Sequence, residues 1–261
     1  MDIALKPLLD EPAMVVESEY KILVLADLHL GIEVELRQKG INIGSQTDKL
    51  LERAIRYVKA VEPDAILLLG DIKHVVPQMS FADRKEVPFF FAQLASYAPI
   101  YVVKGNHDGQ IEKLLPAVEP KHEIYIKGAQ GVLLDHVGYA HGHSWPLQDL
   151  FSAQYILIGH NHPMIRLVST YYRSMKPVWI RAQCDYDAVK KRFPGLSNWN
   201  DPRVIIMPAF NELCGGLAFN STKREFLGPI ASKLLRFDTM DAYLLDGTYI
   251  GKVCDLDFNC I

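Results

Sequence analysis

The sequence carries no histidine after His162, no cysteine pair at CxxC spacing and no excess of basic over acidic side chains. Each absence narrows the field. The four cysteines (Cys184, Cys214, Cys254 and Cys260) are too few for a disulfide scaffold and read as free thiols in a reducing compartment. With 28 Lys and Arg against 31 Asp and Glu, the net charge of −3 offers nucleic acid or an anionic membrane no global attraction. A partner held through phosphates therefore needs a local patch or a bound cation. The longest apolar runs, such as Ala65 to Leu69, fall far short of a bilayer's thickness. No basic region leads into a signal-type apolar stretch, and Cys260 is misplaced for a prenylation signal. A cytoplasmic location without membrane attachment is the expectation. Internal repeats and low-complexity segments are missing too.

What is present is a chain of 261 residues, 49% apolar and 23% charged, long enough to bury a sizeable core and read as a single domain over 1–261. Residues 1–12 read as an irregular arm. Ala13 to Val16 and Lys21 to Ala26 read as two strands joined by a short turn, and 31–44 as a loop with one helical turn. Ser45 and Asp48 have capping-box spacing, and the periodic apolar positions behind them predict a helix over 46–60. Ala65 to Leu69 predicts a strand covered on both faces. Residues 81–97 have a helical pattern in which Pro88 either opens the helix or kinks it, with Phe89, Phe90, Phe91 and Leu94 in the core. Ile100 to Val103 is the next strand. This strand–helix alternation implies parallel pairing.

Beyond residue 120, short strands at 122–127, 132–134, 137–140, 155–158, 164–168, 178–181 and 203–207 suggest a more antiparallel second half. A short helix is expected over 145–152, and residues 213–219, 242–246 and 248–253 look like closing strands. The polar stretch 183–201 is a candidate inserted loop or lid. Its Lys190-Lys191-Arg192, like Lys223-Arg224, reads as solvated charge.

The nine histidines all fall between His29 and His162. Five apolar runs end in metal-type side chains: Asp27 and His29; Asp71; Asn106 and His107; His141 and His143; His160 and His162. In extended backbone, residues two apart point to one face, so Asp-x-His and His-x-His each offer two donors in one direction. Five such clusters, mostly flanked by glycine, form a joint signal that separately satisfied turn residues would not produce. The donors are nitrogen and oxygen, without thiolate, which argues against a structural zinc site. They suffice for two divalent ions able to clamp a phosphoryl group.

In that order, Asp27-Leu28-His29, Gly70-Asp71, Gly105-Asn106-His107-Asp108, His141-Gly142-His143 and Gly159-His160-Asn161-His162 resemble the calcineurin-like metallophosphoesterase superfamily. Ala26 to Gly31, Gly70 to His74 and Met207-Pro208-Ala209-Phe210 further resemble the SbcD-related phosphoesterases of archaea and bacteria. The resemblance implies an α/β fold of two mixed sheets packed as a sandwich flanked by helices. It implies Asp27, His29 and His162 on a first metal, Asn106, His141 and His160 on a second, and Asp71 between them. His107 would protonate the leaving oxygen and Asp108 would orient it. His143 is expected beside the metals or against substrate. Lys73 and His74 remain open between substrate contact, a surface salt bridge and a packed histidine.

The cofactors implied are two divalent ions, manganese first, with iron, zinc or magnesium as alternatives. The reaction implied is hydrolysis by activated hydroxide. The expected substrate is a phosphodiester, with DNA or another nucleic acid first and a nucleotide or other small phosphate ester as the alternative. A non-catalytic scaffold is the third reading. DNA-repair proteins and a second copy of the chain are expected partners. Asp71 is followed by Ile72-Lys73-His74 and not by Arg-Gly, which argues against protein phosphatase activity.

Overall fold

A computed structural model describes residues 2–76, 79–168, 173–223 and 225–256; Arg224 and Cys260 lie outside them. Four layers are stacked: helices, a six-stranded sheet, a nine-stranded sheet, and a second helical layer. The first sheet runs β1 (Ala4–Pro7), β2 (Ala13–Glu17), β3 (Lys21–Ala26), β4 (Ala65–Leu69), β5 (Ile100–Val103) and β6 (Ile124–Lys127) in sequence order. Its first three strands pair antiparallel and β3 to β6 pair parallel.

The second sheet contains β7 (Val132–Leu134), β8 (Val137–Ala140), β9 (Tyr155–Ile158), β10 (Pro163–Val168), β11 (Arg173–Gln183), β12 (Arg203–Ile206) and β13 (Leu217–Ala218). Off its main path, β14 (Asp241–Leu244) pairs with β11 and β15 (Tyr249–Lys252). This sheet is mixed, since β8, β9 and β12 run parallel.

The continuous apolar runs follow from burial on both faces. Along β3, Leu23 and Leu25 face the outer helices while Ile22, Val24 and Ala26 face the other sheet. β4 alternates the same way: Ile66 and Leu68 point outward, and Leu67 and Leu69 inward. In the second sheet, Leu157 and Ile205 meet them, with Ile156, Ile158, Val204 and Ile206 on the far side. The first helical layer is α2 (Thr47–Val61) and α3 (Phe81–Leu94), after the short α1 (Ile32–Gln38). Leu50, Leu51, Ala54, Tyr57 and Val58 of α2 and Val87, Phe90, Phe91 and Leu94 of α3 fill that side.

Several expectations change. The arm contains β1, which extends the sheet edge by pairing with β2. Residues 32–38 form a two-turn helix. The capping box belongs to α3, where Ser80 and Asp83 cap each other's backbone, while α2 starts at Gln46 without a side-chain cap. That cap fixes the start of α3 about two turns before Pro88, which sits inside the helix. The missing backbone bond costs about 3 kcal/mol, offset by the buried Val87, Phe90, Phe91 and Leu94. Phe89 is on the solvent side, 46% exposed. The 145–152 segment narrows to a 3-10 turn at Gln148–Ser152. Residues 183–201 form no open lid. They contain α4 (Tyr186–Arg192), bury Val189 and Leu196 against the second sheet, and are tied by Asp185 N to Leu234 O and Asn200 N to Phe151 O.

Candidate active site

The C-terminal ends of β3, β4, β5, β8 and β9 meet along one edge of the sandwich, where open α/β sheets place ligands. Asp27 and Asp71 are buried there among imidazoles. His162 Nε2 lies 3.2 Å from Asp27 Oδ1, and His29 Nε2 lies 3.6 Å from Asp71 Oδ2. His141 Nε2 reaches the same Asp71 oxygen at 3.3 Å. The Nε2 atoms of His29 and His162 face each other at 3.4 Å. Ligand-type atoms of Asp27, His29 and Asp71 form one compact group, and those of Asp71, His141 and His160 another, sharing Asp71.

Buried carboxylates facing several imidazole nitrogens suit cations better than they suit one another, because lone pairs converge with too few protons between them. The orientation of the rings supports this. His141 Nδ1 is engaged by Leu69 O at 3.1 Å, which turns Nε2 inward. His29 Nδ1 meets His74 Nδ1 at 3.1 Å, and His74 Nε2 in turn meets the Glu35 carboxylate. Such outer partners are how metal-binding histidines are held.

A family model, calcineurin-like phosphoesterase, matches residues 20–207. The chain belongs to the calcineurin-like phosphoesterase family. Among solved structures it is similar to nuclease MPE of Pseudomonas putida, with 18% identity over 93% of this chain and 98% of that one and a TM-score of 0.50. It also matches YfcE, a phosphoesterase from E. coli, at 16% identity over 88% and 96% of the two chains with a TM-score of 0.42. At such identities the likeness is one of fold.

In this calcineurin-like phosphoesterase the backbone at the site is not extended. Asp27, His29, Asp71, His160 and His162 all have positive φ, between 40° and 69°. Left-handed turns just past the strand ends, and not the pleat, make the donors converge. Each such residue costs of order 1–3 kcal/mol and persists only where its surroundings over-determine it. The surroundings here are explicit. His160 N donates to both Asp27 oxygens at 3.1 Å, and His107 N donates to Asp71 Oδ1 at 2.8 Å. Gly105 is required by space: a Cβ there would lie 2.1 Å from Asp71 Oδ1 and 2.3 Å from Asp71 N.

Burial and charge divide the histidines. Burial pushes His29 down to about 3, and His143 and His160 to about 4, so they present free lone pairs. Burial opposes protonation of His141 as well, but Asp71 and Asp27 hold it up at about 9. Asp71 would be raised by burial; the imidazoles of His141, His29 and His107 instead hold it below the carboxylate range.

Asp108 does not orient His107. Its Oδ1 accepts from Ile72 N at 2.8 Å and Lys73 N at 3.4 Å, and its Oδ2 from Gly105 N at 2.8 Å. It clamps the β4 and β5 turns together, because a buried carboxylate seeks the nearest unpaired N–H groups. Burial, then the charge of Asp71, raise it to about 6. His107 Nδ1 is instead held by the carbonyl oxygen of His74. Lys73 is 1% exposed and donates to Val75 O at 2.6 Å, so it forms no surface salt bridge. Asn106 is exposed and enters none of the carboxylate–imidazole contacts. His143 lies tilted to His141 and edge-on to His160, with its buried Nδ1 lacking a protein partner among the described residues.

Residues that sequence reasoning missed also gather here. Cys214, outside every strand-end cluster, places its thiol with His29 and His162. Burial, then Asp27 and Asp71, raise its pKa. Asn161 bonds Leu227 through both ends of its amide, tying the His160–His162 turn to the following layer. Trp145, two residues past His143, has Arg192 4.5 Å and Lys233 5.5 Å from its ring centre. Spacing offers no signal for these, since the fold assembles them from distant segments.

Proposed function

We propose that this phosphoesterase is a two-metal phosphodiesterase acting on DNA or another nucleic acid. The observation that carries the reading is Asp71, whose Oδ2 lies 3.6 Å from His29 Nε2 and 3.3 Å from His141 Nε2, one from each ligand group. Asp27, His29 and His162 would hold one ion; His141, His160 and Asn106 would hold the second, with Asp71 shared. Bound divalent ions supply positive charge for phosphoryl oxygens and acidify water at neutral pH. Nitrogen and oxygen donors accommodate manganese, iron, zinc or magnesium.

His107 supplies the proton for the leaving oxygen. Its Nδ1 faces His74 O, which leaves Nε2, 3.9 Å from Asp71 Oδ2, as the nitrogen turned toward the site. The N–H of neutral His143 can donate to a phosphoryl oxygen. Two features favour a polymer over a small phosphate ester. Residues 183–201 pack into the second layer and provide no closing lid. Arg192 and Lys233, both exposed and lying over the partly buried Trp145 ring, are cations beside the His141–His143 turn that can meet a phosphate backbone. The similarity in fold to a Pseudomonas putida nuclease agrees with this choice.

The test is hydrolysis of bis-p-nitrophenyl phosphate beside p-nitrophenyl phosphate, with chelator-stripped protein, manganese added back, and Asp71→Asn as control. Diester turnover that needs metal and Asp71, followed by cleavage of single-stranded or nicked DNA, is the expected result. Preference for the monoester moves the assignment to small phosphate esters. Silence on both with two ions loaded overturns the diesterase reading.

A further inference from the structure

We propose that Cys214 is a thiolate ligand of the first metal, so that the two ions sit in chemically unequal sites. This inference rests on the two-metal reading and adds what that reading lacks, a reason for the ions to differ.

The placement is built and not incidental. Cys214 is a free thiol, and its sulfur lies within 4.8 Å of ligand nitrogens of both His29 and His162. Those two nitrogens already face each other at 3.4 Å, with His162 Nε2 3.2 Å from Asp27 Oδ1. His29 is 4% exposed. The segment carrying Cys214 is bolted to both ligand loops. Upstream, Phe210 N donates to Ala26 O at 2.8 Å, and the Asn211 amide donates to Leu28 O at 2.9 Å and His29 O at 3.4 Å. The Asn211 carboxamide oxygen accepts from Leu213 N, shaping the single 3-10 turn that ends at Cys214. Downstream, Leu217 N donates to His162 O at 3.2 Å, and Gly216 passes so close that a Cβ would lie 2.1 Å from that oxygen. Cys214 is thus suspended between the loop of His29 and the strand of His162.

With Asp71 shared between the ions, the first donor set becomes two imidazoles, two carboxylates and one thiolate. Such a mixture, five donors with one soft sulfur, favours zinc or ferrous iron over manganese or magnesium. The second site, with Asp71, His141, His160 and Asn106, keeps nitrogen and oxygen alone. On binding, the S–H bond breaks, the sulfur electron pair goes to the metal, and the proton leaves to solvent.

The experiment is optical. Chelator-stripped wild-type protein and Cys214→Ser are loaded with cobalt(II), bound cobalt is counted by elemental analysis, and the near-ultraviolet and visible spectra are recorded. The expected result is a sulfur-to-cobalt charge-transfer band in the wild type that is absent from Cys214→Ser, with visible cobalt bands in both. Zinc retention against a chelator should also fall about 10–100-fold or more in the variant. Two cobalt ions in the wild type without the band overturn the ligand and leave the two-metal reading standing. A band that persists in Cys214→Ser also overturns it. Failure of the wild type to take up cobalt overturns the two-metal reading, and the ligand with it. Absence of the band in the wild type overturns the ligand without the variant, and circular dichroism of Cys214→Ser confirms that the variant compared with it is folded.

Discussion

The ring of His107 takes its orientation from the main chain of His74: Nδ1 faces the His74 carbonyl oxygen, and Nε2 is left 3.9 Å from Asp71 Oδ2. If Nε2 delivers a proton, its worth depends on the leaving group. His107→Ala should lower kcat on a diester with an alkoxide leaving group by about 10²–10⁴-fold. On bis-p-nitrophenyl phosphate, whose phenolate departs without a proton, the loss should be much smaller. Steady-state rates on the two substrates check this; equal losses would show that His107 binds phosphate and does not act as an acid.

Asp108 should behave as a fold residue. Asp108→Asn replaces one acceptor with an amide that confronts the N–H of Gly105 or Ile72, at a cost of about 2–3 kcal/mol. Denaturant unfolding of the metal-free protein reads the loss. An unchanged midpoint would return Asp108 to a direct role in the reaction.

Gly105→Ala and Gly109→Ala make a matched pair. At Gly105 the new methyl collides with Asp71, whereas nothing lies within 4 Å at Gly109. The first should lose about 1–3 kcal/mol of stability and much of the metal affinity, and the second almost nothing. Thermal melts with and without manganese separate the two effects.

A pH signature is expected outside the metal-ligand cluster. Burial would raise Glu11, but hydrogen bonds with Tyr57 and Arg53 and the charges of Arg53 and Arg56 hold its pKa below 4.5. A carboxylate with a depressed folded pKa gives stability that is full above its unfolded pKa and is lost as the pH falls through the folded one. The stability advantage of wild type over Glu11→Gln should therefore be constant above about pH 4.5 and close below it. Paired urea unfolding curves from pH 7 to pH 3 measure it; a gap that widens in acid would reverse the assignment.

Metal removal should be visible as lost stability. An ion held at 100 times its dissociation constant stabilises the fold by about 2.7 kcal/mol. Chelation should lower the melting temperature of the wild type, and His141→Ala should retain only the first-site increment. Calorimetry across a manganese titration distinguishes one increment from two.

Much of this was legible in the sequence. Ala65 to Leu69 reads as a doubly buried strand because both its faces meet apolar layers, and β4 is that strand. Asp27, His29, Asp71, His141, His160 and His162 stand at strand ends, as the ordered clusters indicate. Other features depend on tertiary context and left no local trace. The left-handed backbone at five of these positions is imposed by hydrogen bonds from distant turns, and Asp and His side chains do not announce it. Arg192 reads as solvated charge and is exposed, but its contact with Trp145, far off in sequence, leaves no local trace. Asp108, adjacent to His107 in the chain, was assigned to its neighbour, yet its burial gave it to backbone N–H groups across the β4 turn.

The clamp at residues 210–217 has a consequence for the order in which the molecule matures. The clustered metal-type residues all precede residue 163, while the hydrogen bonds that hold the Asp27 and His162 turns come from Phe210, Asn211 and Leu217. Chains emerge from the ribosome N-terminus first. An ion that arrives early meets a loose set of imidazoles and binds by raw affinity; one that arrives after Leu217 has docked meets a finished cage. If the site holds metal as proposed, choice among ions would be a property the chain acquires only after Leu217 has docked.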